Sequence, residues 1–137
     1  MDELLAIFGF AWMTLSGILG AYMGVKHERL AGTLEQLARS GRLLDYHREQ
    51  SAFRWGITVH AHGFLFSLVC VAVALWMPRM VYSTTAVAGL AVALMMATAV
   101  WWLAALFGRV RALMGIADLM LLGSLVAAGI GLAGGRL

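Results

Sequence analysis

The chain has 137 residues, of which 62% are hydrophobic and only 12% charged, and its formal net charge is +3. A soluble core of this size cannot bury so much apolar surface, so lipid has to cover the remainder. The basic residues are sorted by position along the chain rather than gathered on one face, which argues against a nucleic-acid partner, and the lone Cys70 excludes an intramolecular disulfide, a redox pair or a cysteine metal cluster.

The apolar residues fall in four blocks, at about 4–25, 56–77, 82–107 and 112–134. Each reaches the ~20 residues that a helix needs to cross the hydrocarbon layer. None alternates as a barrel strand would, so the expected fold is all-α: one integral-membrane four-helix bundle, a single transmembrane domain from 1 to 137. The acidic start Met1-Asp2-Glu3 is unlike the basic head of a cleavable signal, and residue 1 is read as the mature start.

The first span carries Ser16, Gly20 and Gly24 at four-residue spacing, which predicts a face for close helix packing. After it, Leu30, Leu34, Leu37 and Ala38 recur at helical spacing opposite Glu28, Glu35 and Arg39. That pattern predicts a cytoplasmic amphipathic helix lying on the inner leaflet, ended by Ser40-Gly41, with Leu43 to Arg54 rising as a charged extension into span two. Pro78, after Trp76-Met77 and before Arg79, reads as a helix stop beside an aromatic anchor, and spans two and three then form a tight hairpin. Span three offers Ala93 and Ala97, and span four Gly123, Ala127, Gly131 and Gly135, as further close-packing faces. Trp55, Trp76, Trp101 and Trp102 are placed toward span ends, as interface anchors.

Lys26, Arg29, Arg39, Arg42, Arg48 and Arg54 lie between spans one and two, and Arg109 and Arg111 between three and four, against Arg79 and Arg136 on the other side. By the positive-inside rule the first and third loops are cytoplasmic and both termini outside, as expected for a bacterial inner-membrane protein.

Chemistry is concentrated at the cytoplasmic half, where all four histidines fall. His60 and His62 lie about 7 to 10 Å inside span two, pointing some 200° apart on the helix, and Asp118 lies about 9 Å into span four. A carboxylate in a membrane helix almost always faces a partner or cavity, so a contact of Asp118 with His60 or His62 is predicted. The contact either pins helices two and four or serves a proton, quinone or metal role. His27 and Glu28 end span one at the same level, and with one residue of span two, His60 or His62, and Asp118 they are the candidate ligands for zinc, iron or copper, since His60 and His62 diverge too far to hold one metal together. His47, beside Tyr46 and Arg48, reads as a solvated loop residue, and Met23 and Met114 as packing residues that occasionally serve as haem ligands. No phosphate-binding glycine loop, nucleophile elbow or HExxH helix is present, so the familiar soluble enzyme classes find no support.

Over about twenty residues, His60-Ala61-His62 followed by Phe64, Phe66 and Met77-Pro78-Arg79 resembles the haem-bearing helix of small relatives of haem-copper oxidase catalytic subunits and of NnrS-type membrane proteins. The resemblance implies His60 or His62 as an axial ligand to a b-type haem. Spans three and four contain no histidine, so a second ligand would be His27, His47 or a methionine, or would come from another subunit. The layout is also similar to small four-helix bacterial membrane proteins, on Leu15-Ser16-Gly17, Gly20-Ala21, His27 and the terminal Gly135-Arg136-Leu137, and this implies architecture rather than activity.

The function expected from sequence is a small accessory or structural subunit of a larger membrane assembly, of respiratory type among others, and not an enzyme by itself. Its partners are the bilayer and other membrane subunits or further copies of itself. The alternatives are a haem- or quinone-binding redox component at His60, His62 and Asp118, and a proton or small-solute pathway through the same residues.

Overall fold

The computed structural model describes residues 1–107 and 110–134, so Arg109 and the closing Gly135-Arg136-Leu137 lie outside the described residues. Four helices follow one another: α1 (Asp2–Arg39), α2 (Leu43–Trp76), α3 (Thr84–Phe107) and α4 (Arg111–Gly134), with a single 3-10 turn at Met77–Arg79. All four are long and apolar enough to cross a membrane.

The predicted interfacial helix is instead the unbroken continuation of α1. At 38 residues α1 is about 57 Å long, nearly twice a hydrocarbon layer of ~30 Å. From Leu19 onward it packs on the extended start of α2, where Met23, Leu30 and Phe53 are buried with Leu19 and Leu34 against them. The apolar stripe read as lipid-facing therefore faces a neighbouring helix. Gly41 ends the run: it takes φ 70°, a left-handed conformation that costs a residue with a Cβ ~1 kcal/mol or more, and the Arg42 N–H reaches back to the Leu37 carbonyl at 3.0 Å.

At the opposite end Pro78 lies in the 3-10 turn that closes α2, and the Arg79 guanidinium sits 4.6 Å over the Trp76 ring. The chain from there to α3 is fastened to α4. Val81 N–H donates to the Gly131 carbonyl at 3.1 Å and the Tyr82 hydroxyl to the Ala127 carbonyl at 2.8 Å. Gly131 permits the approach, since a Cβ there would stand 2.5 Å from the Tyr82 ring.

The helices do not pack equally. Among the described residues α1 lies closest along α2 and α3 along α4, the two pairs meet mainly through α2 and α3, and α4 has little close backbone approach to anything but α3. Within their apolar stretches 44% of α2 and 50% of α3 is buried, against 17% of α1 and 22% of α4, which makes α2 and α3 the inner layer. The core joins Leu5, Val59, Phe66, Cys70, Leu94, Ala97 and Trp101. Trp101 and Trp102, expected as interface anchors, are 2% and 8% exposed and belong to this core. Helix position alone did not distinguish the two roles.

Candidate functional site

His60 and His62 do diverge, as their spacing requires. The His60 ring lies against α1, in the recess left by Gly20, where a Cβ would stand 2.5 Å from its Cε1. Its Nδ1 is 2.7 Å from the Ser16 carbonyl oxygen. A carbonyl has no proton to give, so Nδ1–H is the donor, and in the neutral ring Nε2 is left with its lone pair free. That is the arrangement in which metal-ligating imidazoles are held, with one nitrogen tied to a backbone carbonyl. The groove beside it, about 360 Å³, is lined by Gly24, His27, Glu28, Phe53 and Ile57 as well as His60. His27 stands 5.5 Å, centroid to centroid, from Phe53. The stripe Ser16, Gly20, Gly24 therefore does two things: its first members hold His60, and Gly24 faces open space.

His62 is oriented differently. Its Nδ1–H donates to the Thr58 carbonyl one turn earlier, at 2.9 Å, and its ring stacks on Trp101 with centroids 4.9 Å apart and planes 8° from parallel. Phe66 meets it edge-on at 5.9 Å. The aromatic stack places this histidine in α2–α3 packing.

The predicted contact between Asp118 and either histidine is not among the hydrogen bonds and ion pairs of the described residues. His60 is engaged by α1 and His62 by its own turn and α3, whereas Asp118 is exposed on α4. Equal depth along two helices had suggested the pairing, but depth does not specify the face. Among the described residues no three His, Cys, Asp or Glu side chains gather in a way that could hold a metal ion, so His27, His60, His62 and Asp118 do not form the predicted metal set. His47 is exposed beside Tyr46, and Met23 and Met114 pack into apolar clusters.

Asp118 instead lies in a cleft of about 540 Å³ between α2 and the first turns of α4, with Ser51, Arg54, Trp55 and Thr58 on one wall and Arg111, Met114 and Gly115 on the other. Trp55 Nε1–H donates to the Ala105 carbonyl at 3.1 Å, which fixes the α2 wall against α3. In the sequence each arginine reads only as a marker of membrane side and not as a site residue. The usable signal was that both occupy the same end of parallel helices as Asp118.

A buried polar group also lies in the core. Among the described residues Ser16 Oγ and Trp102 Nε1 find no hydrogen-bond partner, and both crowd Gly63, where a Cβ would collide with Trp102 Nε1 and stand 2.7 Å from Ser16 Oγ. Ser67, beyond His62 on α2, and Ser124, beyond Asp118 on α4, donate to carbonyls of their own helices, Gly63 and Met120.

Comparison with protein-family models, with curated proteins and with solved structures returns no match.

Proposed function

We propose that the chain is an integral-membrane accessory subunit, which contributes a helix face to a larger assembly in the bacterial inner membrane. The supporting observation is the outward face of α4. At Gly115, Gly123 and Gly129 an added Cβ would meet nothing within 4 Å. At 100° per residue these three fall within an arc of ~120° together with the exposed Leu119, Leu122 and Val126, opposite the buried Ala117, Leu121 and Ala128. A helical glycine costs up to ~1 kcal/mol relative to alanine, so three of them cost about 2 to 3 kcal/mol that contacts within this chain do not return. Another helix seated on that face would return it, because small residues let backbones approach. The extended α1–α2 hairpin then stands on the cytoplasmic side, carrying the basic residues that favour this orientation.

The test is the size of the assembly solubilised gently from native membranes. Gly123→Leu with Gly129→Leu should shift the chain to a smaller species, while Gly17→Leu on α1, also open, should not. An unchanged size for the α4 variant would remove the proposal's support.

A second reading is favoured by the His60 geometry. The Ser16 carbonyl fixes the tautomer that offers Nε2 as a ligand or acceptor, which suits a b-type haem or a quinone carbonyl in the α1–α2 groove. With no convergent second ligand among the described residues, haem would take its second ligand from another chain, which is compatible with a subunit role. Oxidised and dithionite-reduced visible spectra should show a signal lost in His60→Ala and kept in His62→Ala. A featureless spectrum in the intact assembly would count against haem, and unchanged quinone retention in His60→Ala against the quinone.

A further inference from the structure

The cleft between α2 and α4 carries a charge arrangement that neither reading uses. Arg54 and Arg111 line it, and among the described residues neither joins an ion pair; the pairs formed are Met1 with Asp2, Arg39 with Glu35 and Arg42 with Asp45. Asp118 lies seven residues further along α4 than Arg111, about 10.5 Å deeper, and it too lacks a recorded partner. Among the described residues that line it, two guanidiniums and one carboxylate leave a net charge of +1, in a cavity of about 540 Å³ that falls in the range of small-ligand sites. Guanidinium forks match the oxygens of phosphate. Ser51 adds a hydroxyl, and the indole of Trp55 is held as a fixed wall by the Ala105 carbonyl.

The walls also continue in the right way for a lipid. Two turns beyond Thr58 on α2 comes Leu65, 53% exposed, and two turns beyond Asp118 on α4 comes Leu125, 36% exposed. The helix faces that carry the cationic mouth thus continue into exposed apolar side chains. A free phosphate would use the first feature and leave the second idle.

We propose that this cleft binds one anionic phospholipid, its phosphodiester held between Arg54 and Arg111 and an acyl chain running along Leu65 and Leu125. Basic pockets between membrane helices at the headgroup level take lipid headgroups on this principle. The net charge of +1 matches a monoanionic diester. Asp118 sets that value, and it selects against a dianionic phosphate monoester.

Native mass spectrometry of the full chain in mild detergent, titrated with phosphatidylglycerol, tests this. One lipid per chain should be retained, at least tenfold more tightly than phosphatidylcholine with the same acyl chains. Arg54→Gln and Arg111→Gln should each weaken retention about tenfold, while Arg29→Gln and Arg48→Gln, basic residues outside the cleft, leave it unchanged. Asp118→Asn should strengthen it and narrow the preference for phosphatidylglycerol over phosphatidic acid, a gain that misfolding cannot mimic. Equal loss from all four arginine variants, equal retention of the two headgroups, or no gain in Asp118→Asn would overturn the proposal. Binding of sn-glycerol 3-phosphate as tight as that of phosphatidylglycerol would overturn the lipid as occupant and assign the arginines to a soluble phosphate ester.

Discussion

Gly63→Ala tests the packing centre, because a single added methyl meets two helices at once. The new Cβ would collide with Trp102 Nε1 on α3 and stand 2.7 Å from Ser16 Oγ on α1. Ordinary contact begins near 3.4 Å, so Ser16 Oγ has to give by 0.7 Å, and Trp102 Nε1 by more. Both neighbours are constrained: Ser16 is fully buried, its carbonyl holds His60, and Trp102 meets Trp12 edge-on at 5.8 Å. Overpacking with no room to yield costs ~3 kcal/mol, against about 1 kcal/mol regained from alanine's helix propensity. The net loss is roughly 2 kcal/mol, or some thirtyfold in the unfolding equilibrium. The assay is reversible unfolding in mixed micelles of increasing dodecyl sulfate fraction, followed by tryptophan fluorescence. Gly17→Ala, where the added methyl meets nothing, is the control and should be neutral or stabilised by up to ~1 kcal/mol. If Gly63→Ala unfolds at the same point as Gly17→Ala, the close approach of α1, α2 and α3 at Gly63 is wrong.

Other positions separate the same way. Gly20→Ala should push His60 off the Ser16 carbonyl and cost about 1 to 2 kcal/mol in the same assay, while Gly24→Ala, with open space around it, should cost nothing. Tyr82→Phe removes the hydroxyl that donates to the Ala127 carbonyl and should lower stability by ~1 kcal/mol without changing secondary structure by circular dichroism. Trp101→Ala should cost about 3 to 5 kcal/mol, since the side chain is 2% exposed and stacked on His62, whereas Trp76→Ala, 43% exposed, should cost under ~1 kcal/mol; similar losses would restore Trp101 as an interface anchor.

Length and composition made the four helices legible, because a run of some twenty apolar residues has few alternatives in lipid. Pro78 and Gly41 marked their ends for reasons of backbone chemistry that hold in any context. What composition left open was which neighbour each face meets. Leu30 and Leu34 form an apolar stripe whether the other side is a leaflet or α2, and the stripe reads the same in both cases. Asp118 shares a depth with His60 and His62, but the three point to a cleft, to α1 and to α3, and those directions follow from how α2 and α4 rotate against α3. The divergence of His60 and His62 was readable because it is a property of one helix alone. Arg54 and Arg111 were passed over because a basic residue at a span end already has a sufficient explanation in membrane topology.

The central claim is that the outward face of α4 is covered by another membrane helix, and the most direct measurement places a photo-crosslinking residue at Leu122 or Val126 on that face, and at Ile18 on α1 for comparison, in native membranes. The account predicts a discrete protein adduct from the two α4 positions at a yield well above that from Ile18, identifiable by mass spectrometry. Adducts to lipid alone from Leu122 and Val126 would contradict it.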